Sequence, residues 1–160
     1  MIRATLLALA LLATPALAQD DHDHDHHVAE AEGLRAVHAW ANATTASTAL
    51  VYADLENASG HAVTLTGAEA DIAASAQLVG LENAAGELRY VPIPEMPLPA
   101  GSEIVLAPNG LAIQLSGLTA PLIEGESFEI AFEFGDTHLS ATVDIHSATA
   151  TRHSHAGHQH

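Results

Sequence analysis

The sequence predicts an all-β protein, a Greek-key barrel or sandwich of about nine short strands. Three observations carry this. Near the C-terminal end, large apolar and polar residues alternate strictly over two consecutive runs, Phe128–Phe134 and His138–His146. Turn-forming clusters recur at short intervals, at Asn57–Gly60, Pro97–Gly101, Pro108–Gly110 and Glu124-Gly125. Between them β-branched and aromatic residues dominate, and only Ala68–Ala76 could form a short helical turn.

Taken in order, the chain opens on an address. Arg3 precedes a ten-residue apolar run, Ala4–Ala13, and Ala16-Leu17-Ala18 follows as an A-x-A cleavage signature. A signal peptide is expected over 1–18, with the mature chain running from Gln19 to His160 in the periplasm. The run is too short to span a bilayer, and no later segment reaches the ~18 apolar residues a transmembrane helix needs. Residues 19–32 (QDDHDHDHHVAEAE) hold almost no apolar side chain and are expected to be a disordered His/Asp-rich leader.

Residues 33–146 carry the apolar content of a single β domain. The candidate strands are Leu34–Trp40, Ala49–Glu56, His61–Ala68, Ala76–Leu81, Glu87–Ile93, Glu103–Leu106 and Ala112–Leu115, followed by the two alternating runs. Phe128, Ile130, Phe132 and Phe134 fall on one face of the first run, because strand side chains alternate. Gly135-Asp136 then joins it to the second run as a hairpin turn. Residues 147–160 (SATATRHSHAGHQH) are small, polar and His-rich, as in a flexible tail.

Composition narrows the function. The chain has 20 acidic residues, four arginines, no lysine and a formal charge of −16. This balance excludes phosphate-backbone and anionic-membrane partners, which need clustered cations. With no cysteine there is no disulfide, thiolate nucleophile, iron–sulfur cluster or Cys-ligated metal. There is no G-x-S-x-G and no Gly-rich phosphate loop, so an enzyme is not expected.

Within 33–145 a series of landmarks resembles the periplasmic copper chaperone PCu(A)C family. They are Ala39-Trp40, Val51-Tyr52, Leu55–Asn57, Pro99–Gly101, Leu106–Gly110, Leu115–Leu118, Pro121-Leu122, Glu124–Glu126 and Phe132–Phe134. The resemblance implies a cupredoxin-like β-barrel. It also implies a cuprous site of His, ten residues, Met, 21 residues, His, one residue, Met. That spacing falls here on Val79, Tyr90, Ala112 and Gln114, with both long intervals kept and all four ligand types gone. Val and Ala have no donor atom, and Tyr and Gln suit cuprous ion poorly. The family's site is therefore not carried over, and Met96 is the only methionine beyond the signal peptide.

Twelve histidines are the unusual feature. His22, His24, His26 and His27 alternate with Asp21, Asp23 and Asp25, and His153, His155, His158 and His160 form a second cluster. Imidazole and carboxylate together suit zinc, cupric copper or nickel rather than cuprous ion. Both clusters are candidate metal ligands, with ion capture moved from the barrel to the termini. If processing also removed Gln19, Asp20-Asp21-His22 would be an amino-terminal cupric motif. His38, His61, His138 and His146 read as structural or surface histidines, although His146 could join the C-terminal cluster.

The expectation is an exported, monomeric metal-binding accessory protein. It would capture copper, or zinc as the alternative, for buffering or for delivery to a periplasmic acceptor. A second reading is a metal-free barrel that acts as a binding or assembly module.

Overall fold

The computed structural model describes residues 27–153. The expected signal peptide, the first part of the leader and the last seven residues lie outside the described residues. Twelve strands form, in the order β1 (Val28–Ala31), β2 (Leu34–Asn42), β3 (Thr48–Asn57), β4 (Val63–Leu65), β5 (Gly67–Glu69), β6 (Ser75–Ala84), β7 (Glu87–Pro92), β8 (Met96–Leu98), β9 (Glu103–Leu106), β10 (Leu111–Ser116), β11 (Ser127–Phe134) and β12 (Thr137–His146). Among the described residues there is no helix, and residues 70–74 make a turn where a short helical turn was conceivable.

Alternation becomes a hairpin where it was strictest. β11 pairs antiparallel with β12 from Ser127↔Asp144 to Phe134↔Thr137, leaving Gly135-Asp136 as the two-residue loop. Gly135 takes φ +65°, a backbone conformation that glycine adopts without steric cost. Phe128, Ile130, Phe132 and Phe134 are buried, as are Leu139, Ala141, Val143 and Ile145 on β12. The outward residues of β12 then include Asp144 and His146, two positions apart on the polar face.

Seven strands close a ring, β2-β12-β11-β5-β6-β10-β3, with β3 returning to β2. Closure removes the exposed edges that an open sheet would present. One pair in the ring is parallel, β2 with β12, and sets Trp40 beside Asp144, Ala41 beside Ile145 and Asn42 beside His146. The core inside the ring includes Leu34, Leu55, Leu78, Ile113, Ile130 and Phe132, all essentially inaccessible to water. β1 hangs on β2, β7 on β6, and β9 bridges β3 and β10.

Three elements differ from the expectation. The run His61–Ala68 divides at Thr66, whose amide donates to Glu133 O; β4 leaves the ring to pair with β8, and β5 stays in it. β8 was hidden by its proline, because Pro97 cannot donate to a ladder and sits in a two-stranded sheet that tolerates it. β1 lies inside the stretch read as leader, so strand pairing begins at Val28, five residues before Gly33.

Candidate metal centre

Four local features converge on one patch of the barrel wall. The first is the start of β1. Val28 pairs with Val37, and one step earlier the His38 amide donates to His27 O at 2.7 Å, which sets His27 opposite His38. The second is an irregularity in β2 between Val37 and Trp40. There His38 adopts φ +53°, a left-handed conformation uncommon for a residue with a side chain. Bulges of this kind re-aim side chains. The third is the polar face of β12, which carries Asp144 and His146.

The fourth is the C-terminal segment. Asn42 Nδ2 donates to Ser147 O at 2.9 Å and to Ala150 O at 3.0 Å, and the Ala150 amide donates to Ser147 O. This turn folds the chain back, seats Ala150 against the cluster of Trp40, Tyr52, Val79 and Ala112, and brings His153 to the patch.

The result is a group of four imidazoles and a carboxylate. Ring centroids are 5.2 Å apart for His27 and His153, 4.7 Å for His38 and His153, 4.9 Å for His146 and His153, and 5.9 Å for His27 and His38. His27 Nδ1 lies 3.4 Å from Asp144 Oδ2. That nitrogen is sealed from solvent and has no hydrogen-bond partner among the described residues. One donor atom each from His27, Asp144 and His153 lie within 4.8 Å of one another. Metal bonds of about 2.0–2.2 Å place neighbouring donors about 3–4 Å apart, so modest side-chain rotation would close the three on one ion. Nitrogen and carboxylate donors without a thioether fit cupric or zinc ions and not cuprous ion.

Of the eight predicted ligands, the structure brings His27 and His153 together from opposite ends of the chain. His22, His24, His26, His155, His158 and His160 lie outside the described residues. Two histidines read as structural or surface, His38 and His146, are instead in the patch. His146 was foreseeable from its face on β12 and its nearness to the tail. His38 was not, because its placement depends on the irregularity in β2. Asp144 shares its face with His146, a signal visible in the alternation alone. His61 and His138 stay outside the patch: the His61 ring lies 3.3 Å from Ser59 O, and His138 pairs with Glu133 across β11 and β12.

The positions that the PCu(A)C spacing singles out cluster around Trp40 and Tyr52. Val79 and Ala112 are register partners on β6 and β10, both buried, and pack with Trp40 and Tyr52. Tyr90 and Gln114 border an open groove of about 380 Å³ with Tyr52, Asn42 and Thr48. Burial pushes the Tyr52 phenol up to about 12, helped by the charge of Tyr90 and a hydrogen bond with it. A phenol, an amide and two alkyl groups do not fit a cuprous ion.

A family model described as "Putative lipoprotein LpqE-like" matches residues 34–147, the whole barrel from β2 onward. The chain belongs to the LpqE-like family. A curated relative of this LpqE-like protein, "Putative lipoprotein Lxx21020" of Leifsonia xyli subsp. xyli, is 30% identical over 109 residues. The match covers 67% of this chain and 65% of that relative, just under two thirds of its length.

Solved structures similar to the LpqE-like barrel are PCuAC domains. The apo PCuAC domain of PmoF2 aligns at a TM-score of 0.64 and 19% identity, over 78% of this chain and 98% of that one. The copper-bound PmoF2 domain gives 0.63 and 18%, over 76% and 98%. The CuI form of DR1885 from Deinococcus radiodurans gives 0.52 and 22%, over 71% and 80%. These likenesses establish the cupredoxin-like barrel fold of this LpqE-like protein, as the sequence landmarks implied.

Proposed function

We propose that this LpqE-like protein is an exported metal-binding accessory protein that captures copper, with zinc as the alternative, through its histidine-rich termini and buffers it or passes it to a periplasmic acceptor. The observation that carries the reading is the meeting of His27, Asp144 and His153 within 4.8 Å. Each histidine is the barrel-proximal member of its own His tract. Copper is supported by the fold shared with a copper-bound PCuAC domain, and zinc by the donor types present. Export is supported by the Ala16–Ala18 cleavage signature and by lipoprotein relatives.

The test is competition titration of the mature chain, Gln19–His160, with cuprous, cupric and zinc ions. The reading predicts at least one equivalent bound at micromolar affinity or better, lost when all eight terminal histidines become alanine. Binding no tighter than millimolar would remove it. The metal-free binding module would then take its place, a reading favoured by the apolar packing of Val79 and Ala112 where the family's ligands would stand.

A further inference from the structure

We infer that the protein has a resident site for a borderline divalent cation, cupric or zinc, built on the barrel itself. His27, Asp144 and His153 hold the ion, and His38 and His146 complete its surroundings. This rests on the metal-binding reading above and goes beyond it. The outer histidines of the two tracts become feeders, and the barrel wall becomes the place where the ion stays.

Three observations support a built site over a chance meeting of tails. First, the donors come from four separate segments whose positions are fixed by hydrogen bonds to the backbone. His27 is set through the His38 amide, Asp144 and His146 by the parallel β2–β12 register, and His153 by the Asn42 contacts to Ser147 and Ala150. A flexible tract imposes no such geometry. Second, His38 occupies a left-handed conformation inside a strand, a strained geometry that the surrounding structure must hold in place. Third, His27 Nδ1 is a buried nitrogen aimed toward Asp144 and lacking a hydrogen bond among the described residues. Its 3.4 Å approach to Asp144 Oδ2 is an ion-pair contact rather than a hydrogen bond, and a cation bridging the two donors would engage both.

The donor set defines the cargo. Imidazoles and one carboxylate contain no soft sulfur, so a cupric or zinc ion is preferred over cuprous ion. A single carboxylate among imidazoles is a poor match for calcium or magnesium, which take mainly oxygen ligands. Site and cargo thus differ from what the spacing of Val79, Tyr90, Ala112 and Gln114 would have held.

The experiment compares two variants of the mature chain with wild type. One carries His38→Asn, Asp144→Asn and His146→Asn. The other carries His→Ala at 22, 24, 26, 155, 158 and 160 and keeps all five barrel-proximal donors. Cupric and zinc affinities come from competition titration, and the cupric spectrum from electron paramagnetic resonance with ¹⁵N-histidine labelling. The site predicts that the tract variant keeps one tight equivalent with an unchanged nitrogen hyperfine pattern. The barrel variant loses that equivalent at least 100-fold. The opposite result, tight binding kept by the barrel variant and lost by the tract variant, would overturn the resident site while leaving capture by the termini standing. Wild type without tight binding would overturn both. Asp144→Asn alone, at a half-exposed position outside the core, gives the same reading if the triple variant melts early: a tenfold or greater loss supports the site, and unchanged affinity and spectrum reject it.

Discussion

The Trp40 indole and the His146 imidazole lie 5.5 Å apart, tilted by 49°, with Tyr52 against the same indole at 4.7 Å. Trp40 is the only tryptophan in the chain. It is therefore a single optical reporter set between the histidine patch and the aromatic packing that fills the region of the PCu(A)C spacing. Cupric ion bound at the patch is expected to quench most of the tryptophan fluorescence at one equivalent, because a paramagnetic ion in near contact quenches efficiently. Zinc, being diamagnetic, should shift the spectrum with little quenching. Steady-state titration of the mature chain checks this, and equal responses to the two ions would place the site away from Trp40.

Asn57 is the one buried polar side chain among the described residues, at 2% exposure. Its Nδ2 donates to His61 O and Leu98 O, and its Oδ1 accepts from the Ser59 amide and hydroxyl. One side chain thus ties the end of β3, the following turn and β8. Asn57→Ala strands these partners and is expected to cost about 2–4 kcal/mol, measured by urea unfolding. Asn57→Asp should cost at least as much, since it turns a carboxylate oxygen toward two carbonyls.

Gly33 and Gly86 separate backbone strain from collision. Both have positive φ, +79° and +88°. A Cβ on Gly33 would come within 2.8 Å of Ser59 Cα, whereas one on Gly86 would meet nothing within 4 Å. Gly33→Ala is expected to lower stability by about 2–4 kcal/mol, and Gly86→Ala by about 1 kcal/mol from strain alone. Thermal melts of the two variants side by side test the ranking.

Tyr52 predicts an alkaline limit. Its phenol is pushed up from 10.0 to about 12, chiefly by burial. The unfolded chain gives up this proton near pH 10, while the folded chain keeps it until near pH 12. Between those values the unfolded state binds fewer protons, so stability falls as pH rises. The Tyr52 contribution is intact below pH 10 and lost through pH 12. Urea midpoints across this window should decline in wild type and decline less in Tyr52→Phe.

The fold was legible wherever a residue's environment repeats with the strand period. The hairpin of β11 and β12, its two-residue turn and its inward phenylalanines all follow from alternation. β8 was not legible, because Pro97 masks a strand whose partner lies outside the main ring. The division of His61–Ala68 depends on the Thr66 contact with Glu133, a pairing between residues 67 positions apart. The candidate site was half legible for the same kind of reason. His27 and His153 stand out by composition, and Asp144 and His146 by their shared face. His38 depends on a backbone irregularity that no local pattern encodes, and the return of His153 depends on two hydrogen bonds from Asn42.

The meeting of His27 and His153, 5.2 Å apart between ring centroids, makes the described chain nearly a circle. A short linker could join the two ends and a new opening be cut at Ala85-Gly86, the turn between β6 and β7, where β7 lies outside the ring. Such a permuted chain would keep every pairing of the ring while turning the gathered ends into one continuous loop. The same proximity means that a probe attached at His27 or at His153 is a substituent on the histidine patch, whereas a label at the Ala85-Gly86 turn sits on a strand pair outside the ring.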